Sequence, residues 1–119
     1  MKQHIARKKG YVGEEVASDY LENLGYTILQ KNFQCKGGEI DIIAQSPQQE
    51  IVFVEVKFYE ENNWCHPLES ITKLKQKRLI NAAKFYLLKH QSFNKHCRFD
   101  AIVSTSKHSL EHIKDIFHV

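Results

Sequence analysis

Two carboxylates and a lysine, Asp41, Glu55 and Lys57, stand in short apolar runs where charge is out of place. Asp41 lies between Ile40 and Ile42, and Glu55-Val-Lys57 continues the run Ile51-Val-Phe-Val54. Side chains alternate along a strand, so Ile51, Phe53, Glu55 and Lys57 share one face and Val52, Val54, Val56 and Phe58 the other. On a strand covered from both sides, charges are costly unless they are paired or hold a ligand. If the strands carrying Asp41 and Glu55 form an antiparallel hairpin through the loop at Ser46-Pro47, the two carboxylates meet across the ladder. Lys57 then joins them.

That set has a chemical use. Mg²⁺ (or Mn²⁺) is held by one or two carboxylates together with water and substrate phosphate oxygens. Asp41 and Glu55 supply such ligands, and the carbonyl of Val56, between the two side chains, is a third candidate. A metal so held polarises a phosphate and acidifies an attacking water. Lys57 would orient that water or neutralise charge developing on the phosphoryl oxygens. The plain alternative is an ion pair of Lys57 with Glu55 or Asp41 on a half-exposed edge strand.

A fourth acid comes from an expected helix over Tyr11–Leu24, whose apolar positions Val12, Val16, Tyr20, Leu21 and Leu24 recur at helical spacing. Glu14 borders that stripe and Glu15 points away from it, while Gly13 near its centre permits close approach to a sheet. Glu14 can therefore reach the strand carboxylates. It is equally natural as a first-turn acid favoured by the helix dipole. Glu39 shares the face of Asp41, as a peripheral ligand or a solvated strand end.

The elements that must position these groups follow in order. Gly25 stops the first helix. Strands are expected over Tyr26–Phe33, Glu39–Ala44 (after the turn at Gly37-Gly38) and Ile51–Phe58. Pro67 opens a second helix to about Lys89, with Leu68, Ile71, Leu74, Leu79, Ala82, Phe85 and Tyr86 as its apolar side. Strands at Arg98–Thr105 and Leu110–Phe117 complete an α/β sandwich. Consecutive apolar residues in Ile51-Val-Phe-Val54 indicate a sheet covered on both faces.

Composition sets the bounds. The 119 residues fit one domain, with 42% hydrophobic and 26% charged residues as in ordinary globular proteins. The reading is a flexible basic arm over 1–9 and a single domain over 10–119. No apolar run approaches the roughly 18 residues of a membrane span, and the basic start lacks the apolar stretch of a secretory signal. Cys35, Cys65 and Cys97 form no CxxC pair, which favours free thiols and a cytoplasmic location. Cys65-His66 and His96-Cys97 do not have the spacing of a zinc site. The net charge of +3 permits a nucleic-acid partner without requiring one. Lys73, Lys75, Lys77 and Arg78 crowd the second helix, and Lys75 with Arg78 flank its apolar side, where they can meet a phosphate backbone or form a solvated basic face. Lys2, Arg7, Lys8 and Lys9 could add nonspecific contacts, and Trp64 could stack on a base.

Gly37-Gly-Glu-Ile-Asp41, Val52-Phe-Val-Glu-Val-Lys57 and Arg98-Phe-Asp100 resemble the YraN-like bacterial family of predicted endonucleases, over about Gly10 to Phe117. The resemblance implies a restriction-endonuclease-like αβββαβ sandwich of the PD-(D/E)xK class, a central mixed sheet flanked by helices, similar to archaeal Holliday junction resolvases. It gives Glu14, Asp41, Glu55 and Lys57 catalytic roles. Tyr59 and Cys65 depart from the family's usual arginine and glycine. The expected activity is metal-dependent cleavage of nucleic acid, DNA first and branched or damaged DNA in particular, with a homodimer suited to two scissile strands. The other function in view is a nuclease-fold module that binds nucleic acid without cutting it.

Overall fold

The computed structural model describes residues 2–59, 67–92, 94–105 and 109–117, with positions 2–12, 59, 67 and 105 described by backbone alone. Trp64, Cys65 and His66, and the side chains of Lys2, Arg7, Lys8, Lys9 and Tyr59, lie outside the described residues. The element order is α1 (Lys2–Asn23), β1 (Thr27–Cys35), β2 (Gly38–Gln45), β3 (Ile51–Tyr59), a 3₁₀ turn (Pro67–Ser70), α2 (Lys73–Lys89), β4 (Cys97–Thr105) and β5 (Leu110–Ile113). Both helices, the sheet and its mixed character are those of the restriction-endonuclease-like sandwich, with β5 added at one edge. No helix among the described residues is long and apolar enough to cross a membrane.

Strands follow one another across the sheet in sequence order. The pairs β1–β2, β2–β3 and β4–β5 are antiparallel and β3–β4 is parallel, so β3 is the central strand. Parallel pairing needs a crossover, and α2 supplies it. Alternation on β3 sorts the core as expected. Ile51 and Phe53 pack with Leu79, Ala82, Ala83 and Tyr86 of α2, while Val52 and Val54 pack with Ala17 and Leu21 of α1.

The helices differ from expectation in detail. α1 begins at Lys2, so residues 2–9, expected as an arm, have helical backbone; within 2–10 only Gly10 is a poor helix former. Its packed stripe is Gly13, Ala17, Ser18 and Leu21, whereas Val16 and Leu24 are exposed. Small residues at four-residue spacing let the helix lie close to the sheet, a signal that a search for large apolar side chains passes over. α1 ends in a Schellman motif: Gly25 takes φ 91°, Tyr26 N–H donates to the Leu21 carbonyl and Gly25 N–H to that of Glu22. Pro67 opens the 3₁₀ turn, not α2. Thr72 caps α2 by accepting from Lys75 N–H at 3.2 Å, and Leu74 and Phe85 stand outside the core.

Candidate active site

The central feature is a parting of two strands. The β2–β3 ladder runs from Gln45↔Ile51 to Ile42↔Val54 and stops there, one step before Asp41 and Glu55 would pair. Beyond that point Asp41 reaches across with its side chain, and its Oδ2 accepts from Val56 N–H at 2.9 Å. Strict alternation is broken at the same place, since Ile40 joins the α2-side core and Ile42 the α1-side core although they are two residues apart. Opposite, between the pairs Lys31↔Ile42 and Phe33↔Ile40, Asn32 holds φ at 53°, a left-handed conformation that asparagine tolerates better than most residues. The antiparallel hairpin expected from the sequence thus exists, but the acids meet where it opens.

Glu55 is buried, and its side chain is 7% exposed. Burial first, then the charge of Asp41 and a hydrogen bond shared with it, push the Glu55 carboxyl up to about 8, against the opposing pull of Lys75 and Lys57. Lys75 Nζ stands 3.5 Å from Glu55 Oε2. Glu14, half-buried on α1, is pushed up by burial and by the charge of Asp41, while a hydrogen bond from Asn32 opposes the rise. Glu15 is exposed, as expected, and Glu39 is an exposed strand end that takes a 3.4 Å hydrogen bond from Gln34.

Glu14, Asp41, Glu55 and Lys57 thus gather at one end of the sheet, as their spacing suggested. Val56 is there too. A strand residue exchanges its N–H and C=O with the same neighbour, so the Val56 carbonyl faces the edge on which its N–H meets Asp41. Lys75, expected as a phosphate-contacting cation, also pairs with the central acid, where the capped first turn of α2 carries it. Among the described residues, Asn32 is the one group beside the acids that the sequence reading does not name. Asn32 had one sequence signal, a turn-forming residue inside a strand-like stretch.

The arrangement fits a divalent cation. Burial and, after it, the charge of the adjacent Asp41 oppose ionisation of Glu55, and a cation held between the two carboxyls would offset both. Among the described residues no three His, Cys, Asp or Glu side chains group to hold a metal ion, so a cation here would have to be held by the Asp41–Glu55 pair with backbone oxygen and water, a set that Mg²⁺ accepts. Arg78 stands one turn beyond Lys75 on α2.

Arg98 and Asp100 have a different task. Asp100, wholly buried, accepts from Arg98 Nε at 2.8 Å and Nη2 at 2.9 Å, from His112 Nε2 at 2.8 Å and from Asp115 N–H at 3.0 Å. Arg98 also donates to Glu50 at 2.9 Å and to the Tyr26 hydroxyl at 2.7 Å, and the Tyr20 hydroxyl meets His112 Nδ1 at 3.1 Å. Burial alone would raise the Asp100 carboxyl, but these donors outweigh it and hold it below the usual range. The network ties α1, the turn before β3 at Glu50, β4 and β5 together on the face opposite Glu55. It braces the helix that carries Glu14.

Comparison with known proteins adds a consistent picture. The family model described as "Uncharacterised protein family UPF0102" matches residues 13–103. A UPF0102 protein of Clostridium perfringens strain 13 is 45% identical over 115 residues, covering 92% of this chain and 93% of that protein. One from Coxiella burnetii strain RSA 493 is 39% identical, covering 97% and 96%, and one from Persephonella marina is 44% identical, covering 92% of each.

Proposed function

This chain belongs to the UPF0102 family, whose matched span contains the whole acid cluster, and we propose that it is a metal-dependent endonuclease of the PD-(D/E)xK class that hydrolyses phosphodiester bonds of nucleic acid. DNA is the polymer proposed, branched or damaged DNA in particular, where a homodimer would bring one site to each strand. One observation carries the reading: Asp41 and Glu55 are brought together at the opening of the central strands, with Lys57 and Lys75 close by. A module that only binds nucleic acid has no use for an acid pair that repels its own ligand.

In the proposed reaction a water oxygen bonds to phosphorus, the ester P–O bond breaks, and the leaving oxygen takes up a proton. Asp41, Glu55 and the Val56 carbonyl would hold Mg²⁺ or Mn²⁺, which when bound supplies Lewis-acid polarisation of the phosphate and a more acidic water. Lys57 orients the attacking water and offsets charge on the phosphoryl oxygens. Glu14 adjoins Asp41, and burial together with the charge of Asp41 raises its carboxyl above the usual range, which suits a group that exchanges protons with the attacking water. Free thiols at Cys35 and Cys97 suit a reducing cytoplasm.

The test is cleavage of labelled single-stranded, duplex, flap and four-way DNA, and of RNA counterparts, in Mg²⁺, Mn²⁺ and chelator. Metal-dependent cutting of at least one substrate is expected. Binding without cutting in either metal would transfer the assignment to the non-catalytic module.

A further inference from the structure

Beside the acid cluster lies a cavity of about 520 Å³ between the tip of the β1–β2 hairpin and the start of α2. Lys36 lines it from the hairpin, and Lys75 and Arg78 line it from the helix. Among the described residues lining it, Glu39 is the one acid. Lys75 belongs to both places, because its ammonium also stands 3.5 Å from Glu55. The cavity therefore leads to the carboxylates.

Its walls are fixed by packing. A Cβ on Gly38 would lie 2.6 Å from the Arg78 carbonyl oxygen, and one on Gly37 would lie 3.2 Å from Asn81 Cβ. Only glycine lets the hairpin tip rest on the α2 backbone, and that seat sets Lys36 across from Lys75 and Arg78. The cations are also where helix stability does not want them. The first turn of α2 holds Lys73 and Lys75 and no acid, so the positive end of the helix dipole is reinforced. A polyanion lying there would offset the repulsion.

Size narrows the ligand. The space between the two walls is enough for one or two nucleotides of a single backbone, so it admits one strand at a time. Among the described residues lining it none is aromatic, so the grip those residues offer is on phosphates. We infer that this groove takes a single unpaired strand of nucleic acid, gripping its phosphates between Lys36 and the Lys75–Arg78 pair, without reading sequence, and delivers it to Glu55. The inference rests on the nuclease reading and names its substrate class.

The experiment is fluorescence anisotropy in chelator, with a labelled single-stranded oligonucleotide and its duplex, for wild type, Lys36→Ala and the control Lys89→Ala at the far end of α2. Both lysines are exposed, so the variants should fold. Lys36→Ala is expected to weaken single-strand binding several-fold and to lower the log–log salt slope by about 0.7, while Lys89→Ala leaves both unchanged. Wild type should also prefer the single strand to the duplex. If wild type binds but Lys36→Ala behaves like Lys89→Ala, or duplex binds as well as single strand, the groove assignment is wrong, and the nuclease reading stands as long as wild type cuts in metal. If wild type neither binds nor cuts any nucleic acid, both fall.

Discussion

Replacing Glu55 by Gln in the metal-free protein removes one of two carboxylates that burial and mutual repulsion hold in an unfavourable place. In the folded chain the Glu55 carboxyl is raised from an ordinary value near 4.5 to about 8. The folded state therefore binds the proton more tightly than the unfolded state. The stability this proton provides is complete below about pH 4.5 and is lost as pH rises to about 8. Such a displacement sets a ceiling of about 5 kcal/mol on that loss. Glutamine stays neutral, so the variant keeps the low-pH stability throughout. The attraction of Lys75 and Lys57 to the carboxylate is already contained in that displacement, and relaxation of the site around the charged form brings the net gain below the ceiling, to about 1–3 kcal/mol above pH 8 and to nothing near pH 4. For a chain of 119 residues that is a rise in Tm of about 4–12 °C. Urea unfolding of both proteins in chelator, at matched pH from acid to alkaline, reads the difference directly. Curves that stay parallel across the range, or a variant less stable at high pH, would refute the reasoning that Glu55 is held against Asp41.

Three further outcomes follow from the same geometry. Lys75→Ala and Arg78→Ala should each weaken nucleic-acid binding and lower its salt slope by about 0.7 on a single strand, and unchanged binding at low salt would make α2 a solvated face. Arg98→Ala leaves Asp100 buried without its main counter-charge, so urea unfolding should show a loss of about 3–5 kcal/mol whether or not metal is present. Gly38→Ala must displace the hairpin tip from the Arg78 carbonyl, and a loss of about 1–3 kcal/mol is expected in thermal or urea melts.

The parts legible in the sequence were those written in local pattern. Alternation along Ile51–Phe58 places Glu55 and Lys57 on the α2 face, and the wheel of α1 separates half-buried Glu14 from exposed Glu15. The parts not legible depend on long-range geometry. Nothing in Ile40-Asp-Ile42 announces that the ladder ends at Ile42↔Val54, with Asp41 turning to the Val56 N–H. Lys75 reaches Glu55 because α2 starts at the Thr72 cap and not at Pro67, the start expected from sequence alone. The partners of Asp100 include His112 and, through Arg98, Tyr26 and Glu50, which only the folded sheet brings together. Leu74 and Phe85 are expected on the apolar side, yet at 100° per residue both stand roughly 110–130° around α2 from the stripe of Leu79, Ala82, Ala83 and Tyr86 and are exposed.

The measurement closest to the central claim compares cleavage and binding by wild type, Asp41→Asn and Glu55→Gln in Mg²⁺, Mn²⁺ and chelator. The amides keep the size of the acids and much of their hydrogen-bonding capacity, so the fold survives while the negative charge that holds the metal is gone. The account predicts that wild type cuts only with metal and that both variants lose cleavage yet bind at least as tightly. Variants that cut as well as wild type would contradict it.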